Sequence, residues 1–217
     1  MDKYLSIITN FGCHYKCPYC IVKNTSIDVP KTTIGGLDKL IENIEKYNCN
    51  WVSISGGGDP LHNLVKNQDW WYKLFEIMPP RVKLELHTSY IPIEYSGNWF
   101  NRQFDRIVYH CHTINDLYEL RKTKPEQIIR AVFVVTEDFT PELIDEITAV
   151  IKNSSVIDEL SFRQMVDSNY NATHYCEEYL KAGHQKDWWY IQQCDYSIYY
   201  AENEVKFKYE DFRRNND

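Results

Sequence analysis

The chain has 217 residues, an aromatic content of 15% and a formal net charge of -7 at pH 7, and a chain of this length can bury one sizeable core. The acidic balance offers no basic surface for duplex nucleic acid or for an anionic membrane. No apolar run approaches the roughly 20 residues of a membrane span, and the first residues lack the apolar core of a signal peptide. We therefore expect a cytoplasmic protein, in which reduced cysteines serve metal binding or catalysis.

Strand and helix signals alternate along most of the chain. The predicted strands are 4–9, 51–55, 82–89, 106–112, 128–135 and 159–166, and the predicted helices are 34–47, 70–78, 98–104, 115–121 and 141–153. Thr140 is the expected N-cap of the last helix, with Pro141 in its first turn. Strands that alternate with helices in this way indicate a parallel sheet built from βαβ units.

The pattern changes after about residue 168. We expect residues 1–168 to form the core and residues 169–217 to form a small extension that caps it. A helix near 172–182 and a β-hairpin, 196–201 and 205–209, are predicted within this extension.

Polar and apolar residues alternate within the strands, although parallel strands covered on both faces usually read as continuous apolar runs. In the third strand, Leu84 and Leu86 alternate with Glu85 and His87. A complete eight-stranded barrel has a packed apolar interior. We therefore predict an α/β fold of the partial (β/α)6 barrel class, with parallel strands and a polar lumen that binds a ligand. A mixed sheet with one face in solvent is the alternative.

Three cysteines, Cys13, Cys17 and Cys20, follow the first strand with C-x3-C-x2-C spacing. Structural zinc takes four ligands, typically from paired C-x2-C units; the other cysteines form no such pair, although His14 could be a fourth ligand. A redox pair of Cys17 and Cys20 would leave Cys13 without a role. Iron–sulfur clusters are normally held by four cysteines, so three would leave one iron open to another ligand.

This loop resembles the C-x3-C-x-aromatic-C hallmark of the radical S-adenosylmethionine (SAM) superfamily, with Tyr19 as the aromatic residue. In that family the motif follows the first strand of a partial barrel. The resemblance implies that Cys13, Cys17 and Cys20 hold a [4Fe-4S] cluster. It extends over about residues 4–166.

A second motif of the family also has a counterpart here. Family members end the second strand with Gly-Gly-Glu-Pro, which binds the amino group of SAM; here Gly57, Gly58 and Asp59 match, with Asp in place of Glu. Glycines let the backbone approach a ligand closely, and a carboxylate pairs with an ammonium group. The resemblance therefore implies that SAM is a cofactor.

Further SAM contacts are expected at the ends of later strands. Thr88 and Ser89 stand where short family members often have Thr-Asn-Gly near the methionine moiety. His110 and His112 lie at the end of the fourth strand, which often contacts the ribose. Arg163 of the sixth strand is a candidate partner for a carboxylate.

The resemblance implies an enzyme that cleaves SAM reductively to a 5′-deoxyadenosyl radical, which abstracts hydrogen from a small-molecule, nucleotide or peptide substrate. A reductant such as flavodoxin or ferredoxin would supply the electron. Two alternatives stay open. One is an activase that generates a glycyl radical on a partner protein, and the other is a non-enzymatic metal-binding protein.

The substrate is not specified by the motifs. Glycyl-radical activases typically carry Asn two positions after the last cysteine, and deazaguanine-forming members carry Asp-Thr or Asp-Ser directly after it; here Ile21 and Val22 follow. Cys176 and Cys194 alone do not make the ligand set of a second cluster. Cys111 is expected to be a buried structural thiol, and Cys194 or a tyrosine of the extension is a candidate hydrogen donor to a product radical.

Overall fold

The computed structural model describes residues 2–25, 27–91, 98–193 and 198–212. Its strands are β1 (Tyr4–Thr9), β2 (Trp51–Gly56), β3 (Lys83–Thr88), β4 (Arg106–Cys111), β5 (Ile128–Val135), β6 (Glu159–Gln164), β7 (Trp189–Ile191), β8 (Ile198–Ala201) and β9 (Glu204–Lys206). Its α-helices are α1 (Ile21–Asn24), α2 (Leu40–Lys46), α3 (Gln68–Ile77), α4 (Asn98–Asn101), α5 (Asn115–Glu119), α6 (Pro141–Lys152) and α7 (Glu177–Gly183). Short 3-10 helices cover Gly35–Leu37 and Tyr209–Phe212.

One sheet contains all of these strands, in the order β7-β6-β5-β4-β3-β2-β1-β8-β9. Strands β1 to β6 are neighbours in chain order and pair in parallel. The predicted α/β class and the parallel partial barrel are therefore confirmed. Within the described residues, no helix is long and apolar enough to cross a membrane.

The chain after residue 168 adds strands to both edges of the sheet. β7, which the sequence analysis did not predict, pairs in parallel with β6. β8 pairs in parallel with β1, and β9 completes an antiparallel hairpin. The predicted first hairpin strand is described only from Ile198, because residues 194–197 lie outside the described ranges. The division into a core and an extension stays a prediction.

The predicted helix 34–47 is interrupted, and regular α-helix begins only at Leu40. The reason lies in the hairpin: Tyr200 Oη donates to the carbonyl of Gly36 at 2.7 Å, and Asn203 Nδ2 donates to that of Gly35 at 2.7 Å. A Cβ on Gly36 would lie 2.1 Å from Glu202 Oε1. The hairpin therefore packs against the backbone of these two glycines.

The helix predicted near 172–182 begins later, at Glu177. Cys176 precedes it with a φ of 50°, in the left-handed region, so a regular helix cannot run through this position. The other predicted elements form with ends displaced by at most three residues, and Thr140 caps α6 by accepting from the Leu143 amide at 3.3 Å.

The predicted alternation of the strands is present. One face of the sheet packs under the helices in an apolar core that includes Val52, Leu86 and Trp71. The other face lines a lumen, with side chains that follow the two-residue period of each strand. These are Tyr4, Ser6 and Ile8 of β1, Ser53 and Ser55 of β2, Glu85 and His87 of β3, Val108 and His110 of β4, Arg130 and Val132 of β5, and Arg163 of β6.

Candidate active site

The cysteine loop and the glycine loop are bound to each other through their backbones. The Asp59 amide donates to the carbonyl of Gly12 at 3.0 Å, and the Gly57 amide donates to that of Thr9 at 2.6 Å. A Cβ on Gly58 would lie 2.1 Å from Gly12 O, and Gly12 itself has a φ of 101°. Both glycines are therefore required by the close approach of the two loops.

The three motif cysteines line one cavity at the carboxyl ends of the strands. They are half-buried, and the Cys20 amide donates to the Cys17 carbonyl at 3.2 Å. Burial raises the pKa of the Cys17 thiol, and the nearby Cys13 and Cys20 thiolates raise it further. Three thiolates this close repel one another, and a bound cationic metal group would offset that repulsion. The donor set thus fits a metal cluster.

The zinc alternative would need four ligands around one metal ion. Among the described residues, no group of three or more Cys, His, Asp and Glu side chains, the three motif cysteines included, is placed to hold a single metal ion. His14 is exposed and packs beside the rings of Tyr15 and Tyr90, with centroids 4.4 and 5.1 Å away. It does not line the cavity of the cysteines. The geometry therefore disfavours His14 as a fourth ligand.

All twelve residues predicted for the site line this single space, which we name the cysteine cavity and whose volume is about 230 Å³. They are Cys13, Cys17, Tyr19, Cys20, Gly57, Gly58, Asp59, Thr88, Ser89, His110, His112 and Arg163. The structure thus brings them together, and their individual roles as ligands stay predictions.

Asp59 is buried and already bound within the protein. Its carboxylate accepts hydrogen bonds from the Leu61 amide at 2.9 Å, the Ser89 amide at 2.7 Å and the Thr88 hydroxyl at 2.9 Å. A carboxylate has about four acceptor positions, so at most one is left for a ligand. Asp59 therefore joins the glycine loop to the end of β3, a link that sequence reasoning missed.

Tyr19 connects the cysteine loop to β4. Its hydroxyl lies 2.9 Å from Nδ1 of His112, whose backbone amide donates to Asp116 at 2.7 Å. Burial raises the pKa of Tyr19, so its hydroxyl stays protonated at neutral pH. Tyr15 likewise links the cysteine loop to the end of β3, because its hydroxyl donates to the Ser89 carbonyl at 2.6 Å. Two tyrosines therefore fix the loop against the ends of β3 and β4.

Cys111 is buried, as expected for a structural thiol, and burial raises its pKa. Its Sγ contacts the carbonyl of Tyr109 at 3.6 Å. The expectation for Cys194 lies outside the described residues.

A second, deeper space of about 450 Å³ lies within the lumen, and we name it the deep cavity. It adjoins the cysteine cavity, since five residues line both: Ser55, His87, His110, Arg163 and Tyr209. Tyr190 and Tyr199, from the chain after residue 168, line the deep cavity as well. The added strands therefore form part of the wall of the lumen.

Charged side chains lie at the amino-terminal end of the lumen, and we call them the floor network: Glu85 and Arg106, which are buried, and Arg130 and Glu159, which are half-buried. Arg106 Nη1 donates to Glu85 at 2.8 Å, and Arg130 Nη2 lies 2.6 Å from Glu159. Burial alone would raise the pKa of Glu85, but hydrogen bonds from His87 and Arg106 lower it to about 2. The alternation within the third strand predicted Glu85 on the polar face, but the sequence analysis predicted neither its partners nor the other members of the network.

No family model matches the sequence, and no curated protein matches it. Among solved structures, Streptococcus suis SuiB bound to the precursor peptide SuiA aligns with a TM-score of 0.57 and 16% identity, over 89% of this chain and 49% of SuiB. The chain thus spans about half the length of SuiB. BtrN, in complex with AdoMet and 2-DOIA, aligns with a TM-score of 0.43 and 17% identity, over 70% of this chain and 66% of BtrN. The likeness to SuiB shows the fold.

Proposed function

We propose that this chain is a radical SAM enzyme. The observation that carries the proposal is the convergence of the three cysteines and the glycine loop on one cavity at the carboxyl ends of parallel strands, which is where α/β barrels hold their active sites. The fold shared with SuiB supports this reading. Cys13, Cys17 and Cys20 would hold a [4Fe-4S] cluster, with SAM beside it.

When bound, these groups supply a one-electron cleavage that yields a 5′-deoxyadenosyl radical able to take hydrogen from a substrate. The residues of the chain bind the cluster and SAM and orient them. The backbone at Gly57 and Gly58, which lines the cysteine cavity, would contact SAM, and the one acceptor position left on Asp59 would receive its ammonium group. We assign Thr88 and Ser89 to the methionine moiety.

The other proposed contacts come from the later strands. We assign His110 and His112 to the ribose, and Arg163 to a carboxylate. Tyr19 orients His112 through the 2.9 Å contact between its hydroxyl and Nδ1. Tyr209, beside both cavities, helps to exclude water from the reacting groups.

The proposed substrate is a small molecule or a peptide. The deep cavity has a volume of about 450 Å³, within the range of small-molecule sites, and it could take one side chain of a peptide. SuiB is bound to a precursor peptide, which supports the peptide alternative. A flavodoxin or ferredoxin is the proposed electron donor, and a cytoplasmic location stays part of the proposal.

The test is SAM cleavage by the full chain, reconstituted anaerobically with iron and sulfide and reduced with dithionite. We expect 5′-deoxyadenosine to form even without substrate. Asp59→Asn should bind SAM more weakly and keep its iron, because Asp59 lies outside the cysteine set. A chain that holds its full complement of iron and yet neither binds nor cleaves SAM would contradict the proposal.

A further inference from the structure

Two serine side chains lie next to each other on the wall of the deep cavity. Ser6 of β1 and Ser53 of β2 are partners in the parallel register of these strands, and both line the deep cavity. Their neighbours Leu5 and Val52 point to the opposite face and belong to the apolar core. Adjacent strands are about 4.8 Å apart, so one ligand group can reach both hydroxyls.

Neither hydroxyl has a hydrogen-bond partner within the described part of the chain. Both serines are nevertheless more than nine-tenths buried, since Ser6 is 8% exposed and Ser53 is 4% exposed. A buried hydroxyl without a partner is costly, whereas alanine would leave the same room in the cavity without that cost. A serine hydroxyl can donate one hydrogen bond and accept others. Both capacities are therefore open to a ligand in the deep cavity.

The charged side chains of the deep cavity are already paired within the protein. Glu85 and Arg130 belong to the floor network, where each has an oppositely charged partner. His87 lies 2.9 Å from the Glu85 carboxylate, so a proton on His87 has its counter-charge there. Arg163 lies at the junction with the cysteine cavity, and we have assigned it to a carboxylate. An ionised group beside the two serines would therefore lack a counter-ion.

We propose that Ser6 and Ser53 form a substrate subsite for an uncharged group that both donates and accepts hydrogen bonds, which is a hydroxyl or a carboxamide. The inference deepens the proposed function and rests on it, because it names the substrate class of the same lumen. Ser55 lies two residues after Ser53 and lines both cavities. The subsite therefore adjoins the place where the reacting carbon must lie.

Two kinds of substrate carry such a group. A hydroxyl is presented by a sugar or another polyol, and a carboxamide is presented by an asparagine or glutamine side chain of a peptide. Val108 and Val132 add apolar surface to the same cavity, which can pack against the carbon atoms of either one. The chemistry that the serines recognise is the same in both cases.

The first test is the stability of the chain without ligand. Ser6→Ala and Ser53→Ala break no hydrogen bond within the protein, so the urea midpoint of each variant should equal or exceed that of the wild type. Ser154→Ala is the matched control, because Ser154 Oγ accepts from the Val156 and Ile157 amides at 3.1 and 3.2 Å. Its midpoint should fall. An equally large fall in Ser6→Ala and Ser53→Ala would overturn the inference, because the hydroxyls would then serve stability.

The second test is binding to the full chain as purified, measured by saturation-transfer nuclear magnetic resonance. The probes are two pairs that differ in charge: D-glucose with D-glucuronate, and N-acetylasparagine amide with N-acetylaspartate amide. We expect one neutral probe to bind more tightly than its ionised counterpart. Its affinity should fall about tenfold in the double variant Ser6→Ala/Ser53→Ala, which lacks two hydrogen bonds, and should be unchanged in Ser154→Ala. Binding of glucose would indicate a polyol, and binding of the asparagine probe would indicate a peptide.

Three results of the binding test would overturn the inference. They are binding of neither neutral probe, equally tight binding of the ionised counterpart, and unchanged affinity in the double variant. Neither test needs iron or SAM cleavage. A chain that binds a neutral probe through the two serines but holds its iron without cleaving SAM would contradict the proposed function alone.

Discussion

The two ends of the lumen are built in different ways. At the carboxyl end, glycines and backbone hydrogen bonds bring two loops together around half-buried thiols. At the amino-terminal end, the floor network joins the neighbouring strands β3 to β6 through paired charges on Glu85, Arg106, Arg130 and Glu159. The first end can accept a cofactor because it keeps its space open. The second end is occupied by its own partners, so we expect it to contribute stability rather than binding.

The largest expected effect is at the open end. Cys17→Ala removes one of three thiolates, so the cluster should be lost and SAM cleavage should fall by about three orders of magnitude or more, since the cofactor supplies the chemistry. Cys176→Ala is the matched control, because Cys176 is also half-buried but lies outside the cysteine cavity. Iron content and 5′-deoxyadenosine formation are measured together. Equal iron in both variants would remove Cys17 from the ligand set.

Substitutions in the floor network should lower the free energy of unfolding. Glu85→Leu removes the partner of Arg106 at 2.8 Å and leaves it Glu159 at 3.4 Å, so the loss should be at most the cost of breaking a buried pair, about 3–5 kcal/mol. The double variant Glu85→Leu/Arg106→Met removes both charges and should regain most of that loss. Urea unfolding measures the free energies. A single variant as stable as the wild type would show that the pair is not needed.

The hydrogen bonds that Glu85 accepts from His87 and Arg106 make stability depend on pH. The pKa of Glu85 is lowered to about 2 in the folded protein from the ordinary value of 4.5. Its contribution is therefore complete above about pH 4.5 and is lost as the pH falls towards 2. We expect the difference in free energy of unfolding between wild type and Glu85→Gln to shrink over this window. A difference that stays constant from about pH 6 to pH 2 would argue against a charged Glu85.

Gly58→Ala should damage the contact between the loops. The added Cβ would lie 2.1 Å from the backbone oxygen of Gly12, and overpacking of this kind costs about 1–3 kcal/mol. Gly35→Ala is the control, because the nearest atom to its Cβ is 3.9 Å away. Thermal unfolding and SAM affinity are compared. Equal behaviour of the two variants would mean that the loops separate easily.

The smallest effect is expected at the end of β3. Thr88→Val removes a hydroxyl that donates to Asp59 at 2.9 Å. Loss of this bond, worth about 1 kcal/mol, should weaken SAM binding a few-fold and leave the iron content unchanged. Equilibrium binding to the reconstituted protein measures it. Unchanged SAM affinity would show that Asp59 holds the strand end without help from Thr88.

These two ends also differ in how far the sequence predicts them. The parallel sheet and the polar lumen follow from local signals, namely alternating elements and alternation along single strands. The residues of the cysteine cavity were expected because the cysteine spacing and the glycine run resemble motifs of a known family. The pairing of Glu85 with Arg106 does not follow from such signals, since it joins residues 21 positions apart through the sheet register. For the same reason the sequence did not show that Asp59 binds the end of β3. Strand β7 was missed because three residues carry too little periodicity.

The most direct test of the central claim is electron paramagnetic resonance of the anaerobically reconstituted, dithionite-reduced full chain, recorded with and without SAM. The account predicts a [4Fe-4S]+ signal that changes shape when SAM is added, because one iron is left open by Cys13, Cys17 and Cys20. A protein that takes up zinc and shows no iron–sulfur signal would contradict it, and the three cysteines would then form a structural clip.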